Sequence, residues 1–317
     1  MPTELHVVFG GGQIGPRLAR RLRARGHAVR LVRRSGAAPE GVDLRLGDAA
    51  DPAFAAAACE GAAAIYHCMN PAYSAAAWGR ELPRLADSLI AAAGRSGARL
   101  VVLDNLYMLG RPGGRPLDED SPVAPVSRKG EIRARVAARF LEAHRRGEAR
   151  VVVARASDFY GPGGTGTHFG DAFWPDALRR GRGPLLLNPD TPHTYHFTDD
   201  VAAGLVTLGA APEDVLGRWW MLPAAPAEPS RALVERFSAA LGRPIRVQGM
   251  PRALVGLVGL FMPIVRELAE MMYQWDEPFV TSDRRWRERF GPGVEVTDLD
   301  AGARATVEWA VRHYGAR

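Results

Sequence analysis

The chain has 317 residues, of which 47% are hydrophobic, and a net charge of +6 at neutral pH. This content is ordinary for a globular protein, and the length suits one large domain or two smaller ones. The arginines are spread along the chain without a basic block, so a nucleic-acid partner is not expected. The two cysteines, Cys59 and Cys68, provide neither a disulfide framework nor a metal cluster, and no metal site is predicted.

The sequence also argues against export and membrane insertion. A strand begins by Leu5, which leaves no room for a signal peptide before it. The most apolar stretch, from Ala253 to Val265, is too short to span a bilayer and is interrupted by two glycines and a proline. We therefore expect a cytoplasmic protein with no membrane partner, in which a helix from Ala253 to Trp275 packs on the second lobe or lines the cleft.

The first 35 residues predict a βαβ unit. Residues 5–9 form a short apolar strand, apolar side chains recur every four residues over 14–22, and residues 29–32 form a second strand. A glycine-rich turn joins the first strand to the helix. This order of elements is typical of the first unit of a dinucleotide-binding domain.

Gly10, Gly12 and Gly15 in that turn follow the spacing G-x-G-x-x-G. One glycine is needed for the tight turn, one for the approach of a pyrophosphate to the backbone, and one for packing of the helix on the strand. Gln13 and Ile14 complete the loop, where free N–H groups at the helix N-terminus would face the phosphates. An ordinary glycine-rich loop is the alternative interpretation.

The end of the second strand indicates which dinucleotide binds. NAD-binding units usually carry an acidic residue there, whereas this chain has Arg33, Arg34 and Ser35. Two guanidinium groups and a hydroxyl suit a 2′-phosphate, because arginine offers a planar fork to phosphate oxygens. The sequence therefore favours NADP(H) over NAD(H), although a solvated basic corner would give the same pattern.

Four further strands are predicted at residues 42–46, 62–68, 100–103 and 151–154, and helices alternate with them. Six strands alternating with helices predict an α/β fold with a doubly wound parallel sheet, the Rossmann fold. Ligands of such sheets bind at the carboxyl ends of the strands. Cys68 and Asn70 after strand four, and Asp104 after strand five, should therefore border the cofactor.

The alternation ends after Gly161. Short strands are predicted at 185–187, 219–222 and 245–247, and helices at about 199–210 and 229–241. We expect residues 1–165 to form the NADP-binding domain, with 194–212 returning to it. Residues 166–193 and 213–317 are assigned to a smaller C-terminal substrate lobe that closes over the cofactor.

The segment from Arg155 to Pro162 reads R-A-S-D-F-Y-G-P. It resembles the R-P-x-x-x-Y-G-P run of the extended short-chain dehydrogenase/reductases, the NAD-dependent epimerase/dehydratase family. That run lies beside the nicotinamide, which implies cofactor contacts for Ala156 and Ser157. Asp48 after Gly47 resembles the family's aspartate that contacts adenine. Further similar segments are 194–200, 285–294 and 298–309, so the resemblance covers nearly the whole chain.

Two departures mark the chain as an atypical member of that family. Its glycine motif is one residue shorter than the usual G-x-x-G-x-x-G. The family's catalytic pattern is Y-x-x-x-K with a serine or threonine after strand five, but here Pro125 stands four residues before Lys129 and Asn105 takes the serine position. Proline has no proton to give. Tyr107 on the same loop is a candidate proton donor, with a packed aromatic as the alternative.

Lys129 is the only lysine among 41 basic residues. The resemblance implies that it binds the nicotinamide ribose and lies near the reacting centre; a leftover lysine on a solvated helix is the alternative. We expect an atypical NADP(H)-dependent oxidoreductase acting on a small organic carbonyl, enone or alcohol. An epimerase or dehydratase, or a non-catalytic NADP(H)-binding regulator, remains an alternative. A small molecule is the expected partner, and a homodimer is left open.

Overall fold

The computed structural model describes residues 3–185, 188–249, 261, 263–291 and 296–315. Its strands, numbered in chain order, are β1 Leu5–Phe9, β2 Ala28–Arg33, β3 Asp43–Leu46, β4 Ala62–His67, β5 Arg99–Asp104, β6 Arg150–Arg155, β7 Asp158–Tyr160, β8 Arg182–Leu185, β9 Pro192–His193, β10 Tyr195–Phe197, β11 Trp219–Met221, β12 Glu228–Pro229 and β13 Arg246–Gly249.

The helices are α1 Gly15–Ala24, α2 Pro52–Ala58, α3 Ala75–Ser96, α4 Arg128–Arg145, α5 Trp174–Arg180, α6 Thr198–Ala210, α7 Ser230–Leu241, α8 Pro263–Ala269, α9 Arg284–Phe290 and α10 Leu299–Tyr314. Their starts follow ordinary capping chemistry. Asp51, for example, accepts a hydrogen bond from the Ala53 N–H at 2.9 Å, and Pro52 occupies the first turn of α2.

A seven-stranded parallel sheet in the order β11-β6-β5-β4-β1-β2-β3 forms the centre of the molecule. Alternate side chains of β1 enter two apolar clusters on opposite faces of this sheet. Val7 and Phe9 pack with residues of α2, α3 and α4, whereas Val8 packs with residues of α1 and α6. This is the predicted doubly wound α/β fold. Its strand order changes direction between β1 and β4, the place where such sheets bind ligands.

The sheet includes one strand that the sequence assigned to the second lobe. Trp219–Met221 pairs in parallel with β6, with Trp219 opposite Val153. The prediction that 219–222 belongs to the substrate lobe was therefore wrong, because a three-residue strand carries too short a pattern to show which sheet it joins. In contrast, α6 packs as expected: Val201 and Leu205 share an apolar cluster with Leu18 of α1.

The remaining elements form a smaller lobe with an aromatic core. Phe169, Phe173, Trp174 and Phe237 pack edge to face between α5, α7 and α10. The predicted strand at 185–187 overlaps β8 only at Leu185, and residues 186 and 187 lie outside the described chain. The predicted helix from 253 to 275 is described only at 261 and from 263 onward. Among the described residues, no helix is long and apolar enough to cross a membrane.

Candidate functional site

A cleft with a volume of about 1060 Å³ opens at the carboxyl ends of the central strands. The glycine loop and the ends of β2, β4, β5 and β6 form one side of the cleft. Residues that follow α8, including Met271, Met272 and Trp275, form part of the other side. The cleft therefore lies at the change of strand direction, between the sheet and the second lobe.

The three glycines of the loop have different surroundings. A Cβ atom on Gly10, whose φ is +119°, would lie 2.6 Å from the Cys68 carbonyl oxygen, and one on Gly15 would lie 1.8 Å from the Gly10 carbonyl oxygen. Both glycines are therefore required by packing. At Gly12 no described atom comes within 4 Å of an added Cβ, so its backbone is open to the cleft.

Two polar atoms beside this opening lack hydrogen-bond partners among the described residues. They are the Gln13 Oε1 and the Arg33 Nε, both buried. Ile14 continues the lining to the start of α1. A loop with an open backbone, unpaired polar atoms and a helix N-terminus fits the phosphates of a dinucleotide.

The end of β2 presents a cationic corner to the cleft. The Arg33 guanidinium lies against Gly11 and donates to the Ala37 carbonyl at 2.7 Å. Arg34 and Ser35 are exposed and also line the cleft, as does Asp48 after β3. All four predicted side chains at this end of the cleft therefore lie along one wall.

Arg133 ties the ends of β4 and β5 together, and the sequence reasoning missed it. Its guanidinium donates to the Asp104 carboxylate at 3.1 Å and to the Asn70 side-chain oxygen at 2.5 Å, and it lies over the Trp78 ring. Asp104 also accepts from the Asn105 N–H at 2.9 Å. The only signal for Arg133 in the sequence is its position four residues after Lys129, and one arginine among many gave no reason to select it.

Lys129 does not reach the cleft, contrary to the sequence prediction. Its ammonium group is fully buried and binds the Glu267 carbonyl at 2.8 Å, the Glu267 carboxylate at 2.5 Å and the Glu270 carboxylate. These acceptors use all three N–H groups, and the Tyr73 ring covers the ammonium. Asp104, for which the sequence allowed either Asn105 or Lys129 as a partner, accepts from the Asn105 N–H and pairs with Arg133. Lys129 instead fastens α4 to the glutamates of α8 and the turn that follows it.

We expect Lys129→Met to lower the free energy of unfolding by about 3 kcal/mol, because it leaves two partly buried glutamates without their cation. Lys129→Arg should also be destabilising, since a wide guanidinium does not fit a site shaped for an ammonium group. Denaturant unfolding would measure both, with the exposed neighbour Arg128→Met as the control. A Lys129→Met change no larger than that of the control would contradict this role.

Tyr107 lies on the cleft, as predicted. Its hydroxyl is 3.3 Å from the hydroxyl of Tyr73, and its ring stacks on Trp78. Burial raises the pKa of Tyr107 well above 10, so its phenol is neutral at physiological pH. Asn105 also lines the cleft, but its side-chain oxygen accepts from the Tyr107 N–H at 3.2 Å and so shapes this loop.

The Cys68 thiol and the start of the R-A-S-D segment complete the middle of the cleft. Cys68, Ala156 and Ser157 all line it. Burial raises the pKa of Cys68 to about 12, so the thiol is not a nucleophile at neutral pH. The Ala156 N–H donates to the Asp104 carbonyl at 3.2 Å, which joins this segment to the end of β5.

A carboxylate–imidazole pair, Asp158 and His193, lies at the end of this segment and was not predicted as a pair. Asp158 lines the cleft with 24% of its side chain exposed, and its Oδ2 lies 2.8 Å from the Nε2 of His193. His193 is buried and stacks on Trp275, with a centroid distance of 4.6 Å and an angle of 6°. Burial alone would raise the pKa of Asp158, but the hydrogen bond with His193 and the nearby imidazoles bring it below its usual value.

Asp158 sits among phenols and imidazoles. Its charge contributes to the raised pKa of Tyr107 and of Tyr73, and it opposes the burial that lowers the pKa of His168 to about 4. His168 also lines the cleft. This end of the cleft therefore combines one ionised carboxylate with the neutral phenols of Tyr107 and Tyr73 and the neutral imidazole of His168, a set able to accept and donate protons.

Comparisons with known proteins agree with this architecture. Three similar solved structures are the UDP-glucuronic acid 4-epimerase of Bacillus cereus with NAD (12% identity, TM-score 0.80, covering 98% of this chain and 99% of that one), the UDP-glucose 4-epimerase of Brucella ovis with NAD (16%, 0.79, 99% and 99%) and the dTDP-glucose 4,6-dehydratase of Bacillus anthracis with NAD (13%, 0.79, 98% and 97%). At these identities the likeness establishes the fold alone. No curated protein matches the chain.

The sequence itself carries a wider signature. The model of the NAD-dependent epimerase/dehydratase family matches residues 6–218, which span the glycine loop, the six strands β1 to β6 and α6. The match covers about two thirds of the chain, and its region includes the cleft residues on the sheet side. The chain therefore belongs to the NAD-dependent epimerase/dehydratase family.

Proposed function

We propose that this chain is an NADP(H)-dependent oxidoreductase that interconverts a hydroxyl and a carbonyl group on a small organic substrate. The observation that carries the proposal is the continuity of one cleft. It runs from the open backbone at Gly12 and the two arginines at the end of β2, Arg33 and Arg34, to the ionised Asp158. When bound, the dinucleotide would supply the acceptor or donor of a hydride.

The cofactor would be held along the sheet side of the cleft. Gly12, Gln13 and the start of α1 suit its phosphates, Asp48 suits its adenine end, and Ser157 suits its nicotinamide end. Arg133 keeps Asp104 and Asn70 in fixed positions between these ends. Lys129 does not line the cleft where the cofactor would lie. Its role would be to hold Glu267 and Glu270 on the opposite side of the cleft.

Proton transfer would fall to Asp158. An ionised carboxylate can accept the proton of a substrate hydroxyl while a hydride leaves the carbon that bears this hydroxyl. In the reverse direction the carboxylic acid returns the proton to the carbonyl oxygen. Its hydrogen bond with His193 keeps the carboxylate ionised and fixes its orientation. The neutral phenol of Tyr107 can donate a hydrogen bond to the substrate oxygen, in the manner expected from the sequence.

We expect NADPH to bind at least about tenfold more tightly than NADH, or about 1.4 kcal/mol, because Arg34 and Arg33 can pair with a 2′-phosphate. Fluorescence titration would measure both affinities. Arg34→Gln should remove most of the preference, whereas the exposed Arg179→Gln on α5 should leave it unchanged. Equal affinities for the two cofactors would return Arg33 and Arg34 to the solvated surface.

An epimerase or dehydratase acting on a sugar nucleotide is the second candidate, supported by the family and by the similar epimerase and dehydratase structures. Such an enzyme would convert UDP-glucose without net oxidation of the cofactor. The carboxylate of Asp158 suits an uncharged substrate better than a diphosphate. Steady-state NADPH oxidation with a carbonyl panel, beside product analysis with UDP-glucose, would separate the two. Cofactor binding without either turnover would favour a regulator.

A further inference from the structure

A cluster of Glu4, His6 and His27 lies at the amino ends of β1 and β2, at the end of these strands away from the cleft. One ligand atom from each residue lies within 4.8 Å of the others. The pairing of β1 with β2 brings them together, because Ala28 N donates to the Glu4 carbonyl at 3.0 Å and Leu5 lies opposite Ala28. The cluster is thus built by the register of the two strands.

His6 is the central member, and one of its ring nitrogens lacks a hydrogen bond. The imidazole is only 4% exposed, and its Nδ1 lies 3.0 Å from the Tyr66 hydroxyl. Its buried Nε2 has no hydrogen-bond partner in the described structure and faces the Glu4 carboxylate at 3.8 Å. A buried polar atom without a partner is rare and requires an explanation.

The contact with Tyr66 is the kind that orients a metal-binding histidine. Such a histidine usually donates its second ring N–H to an oxygen, which leaves the other nitrogen's lone pair directed at the metal. The rings of His6 and His27 are 4.1 Å apart, which puts a second imidazole beside the same space.

We propose that Glu4, His6 and His27 bind a divalent transition metal of the zinc class, with a fourth position open to water. Two imidazoles and one carboxylate are a typical ligand set for zinc, whereas calcium and magnesium prefer oxygen alone. Ligand atoms in a tetrahedral zinc site lie about 3.3 Å apart, so the cluster must contract slightly. Glu4 and His27 are both accessible and can make that adjustment.

The site is separate from the proposed catalytic function. β1 has five residues, so its two ends are about 13 Å apart, and the cleft lies at the other end. A bound metal would tie the beginning of β1 to the turn that follows α1. We therefore expect metal to raise the melting temperature of the protein, because it binds the folded chain preferentially, without changing its affinity for NADPH.

Calorimetric titration of tag-free protein with zinc chloride would test this proposal. We expect one zinc ion per chain, and Glu4→Gln and His27→Gln should each weaken binding at least about tenfold. Cobalt(II) should give the intense visible absorption of a tetrahedral site, without the charge-transfer band of a cysteine ligand. His313→Gln, an exposed histidine on α10, is the control. The accessible ligands are replaced because loss of the buried His6 could unfold the chain.

Two results would overturn the proposal. The first is the absence of zinc uptake by the wild-type protein, which would leave the Nε2 of His6 to an internal water. The second is uptake that Glu4→Gln and His27→Gln weaken no more than His313→Gln does, which would assign the ion to other surface groups. Neither result depends on cofactor binding or turnover, so this proposal and the proposed function can fail separately.

Discussion

Gly12→Val should abolish measurable NADPH binding while leaving the fold intact. No described atom lies within 4 Å of a Cβ at this position, so the branched side chain meets no protein and enters the cleft itself. There it would occupy the space where a pyrophosphate approaches the backbone. We expect affinity to fall at least about 100-fold, or about 2.8 kcal/mol, in a fluorescence titration, with an unchanged circular dichroism spectrum.

Two other glycines supply the controls. Gly79→Val on the exposed face of α3 should leave NADPH affinity unaltered, because a Cβ there touches only Ile132 at 3.7 Å. Gly15→Ala should disrupt the loop itself, since its Cβ would lie 1.8 Å from the Gly10 carbonyl oxygen. Normal NADPH affinity in Gly12→Val would mean that the phosphates bind elsewhere.

Asp158→Asn should reduce turnover by about 100- to 10,000-fold, the usual contribution of a general base, with little change in NADPH affinity. The amide keeps the shape of the side chain but cannot accept the proton. Steady-state kinetics on the best substrate of the carbonyl and alcohol panel would measure the effect. Asp87→Asn, an exposed carboxylate on α3, is the matched control. A fall of less than about threefold would exclude Asp158 as the base.

The pH profile provides a second test of the same pair. The lowered pKa of Asp158 keeps the base ionised as the pH falls, so activity in the alcohol-oxidising direction should persist below neutral pH and decline only as the pH approaches that lowered pKa. The hydrogen bond from His193 lowers the pKa of Asp158 and offsets the increase caused by burial. His193→Gln removes this contact with the imidazole, so the pKa of Asp158 should rise. The acidic limb of the profile should therefore move to higher pH. An unmoved limb would show that His193 does not act on the reacting carboxylate.

The sequence predicted the sheet side of this cleft well, because local patterns encode it. The glycine turn lies between a strand and an amphipathic helix, and the cationic residues stand directly at the end of β2. The pair of Asp158 and His193, toward the second lobe, could not be predicted for the opposite reason. Asp158 and His193 are 35 residues apart, and the pairing of β7 with β10, in which Asp158 lies opposite Tyr195, brings them together.

Lys129 shows how a correct emphasis can lead to a wrong position. Its uniqueness indicated a constrained role, and full burial with three acceptors agrees with that. The partners, Glu267 and Glu270, lie about 140 residues further along, in a stretch with no pattern that pairs it with α4. Arg133, one helical turn later, took the position in the cleft that the family resemblance had given to the lysine.

The burial of the only lysine has a practical consequence for proteolysis. A lysine-specific protease has one cleavage site in this chain, after Lys129. This bond lies in the first turn of α4, and the Lys129 side chain is held by Glu267 and Glu270. The protease cannot cut until that contact opens and the turn unwinds, because a helical, buried bond does not fit an active site made for extended chain. Digestion should therefore yield two fragments at a rate that reports the opening of this one region.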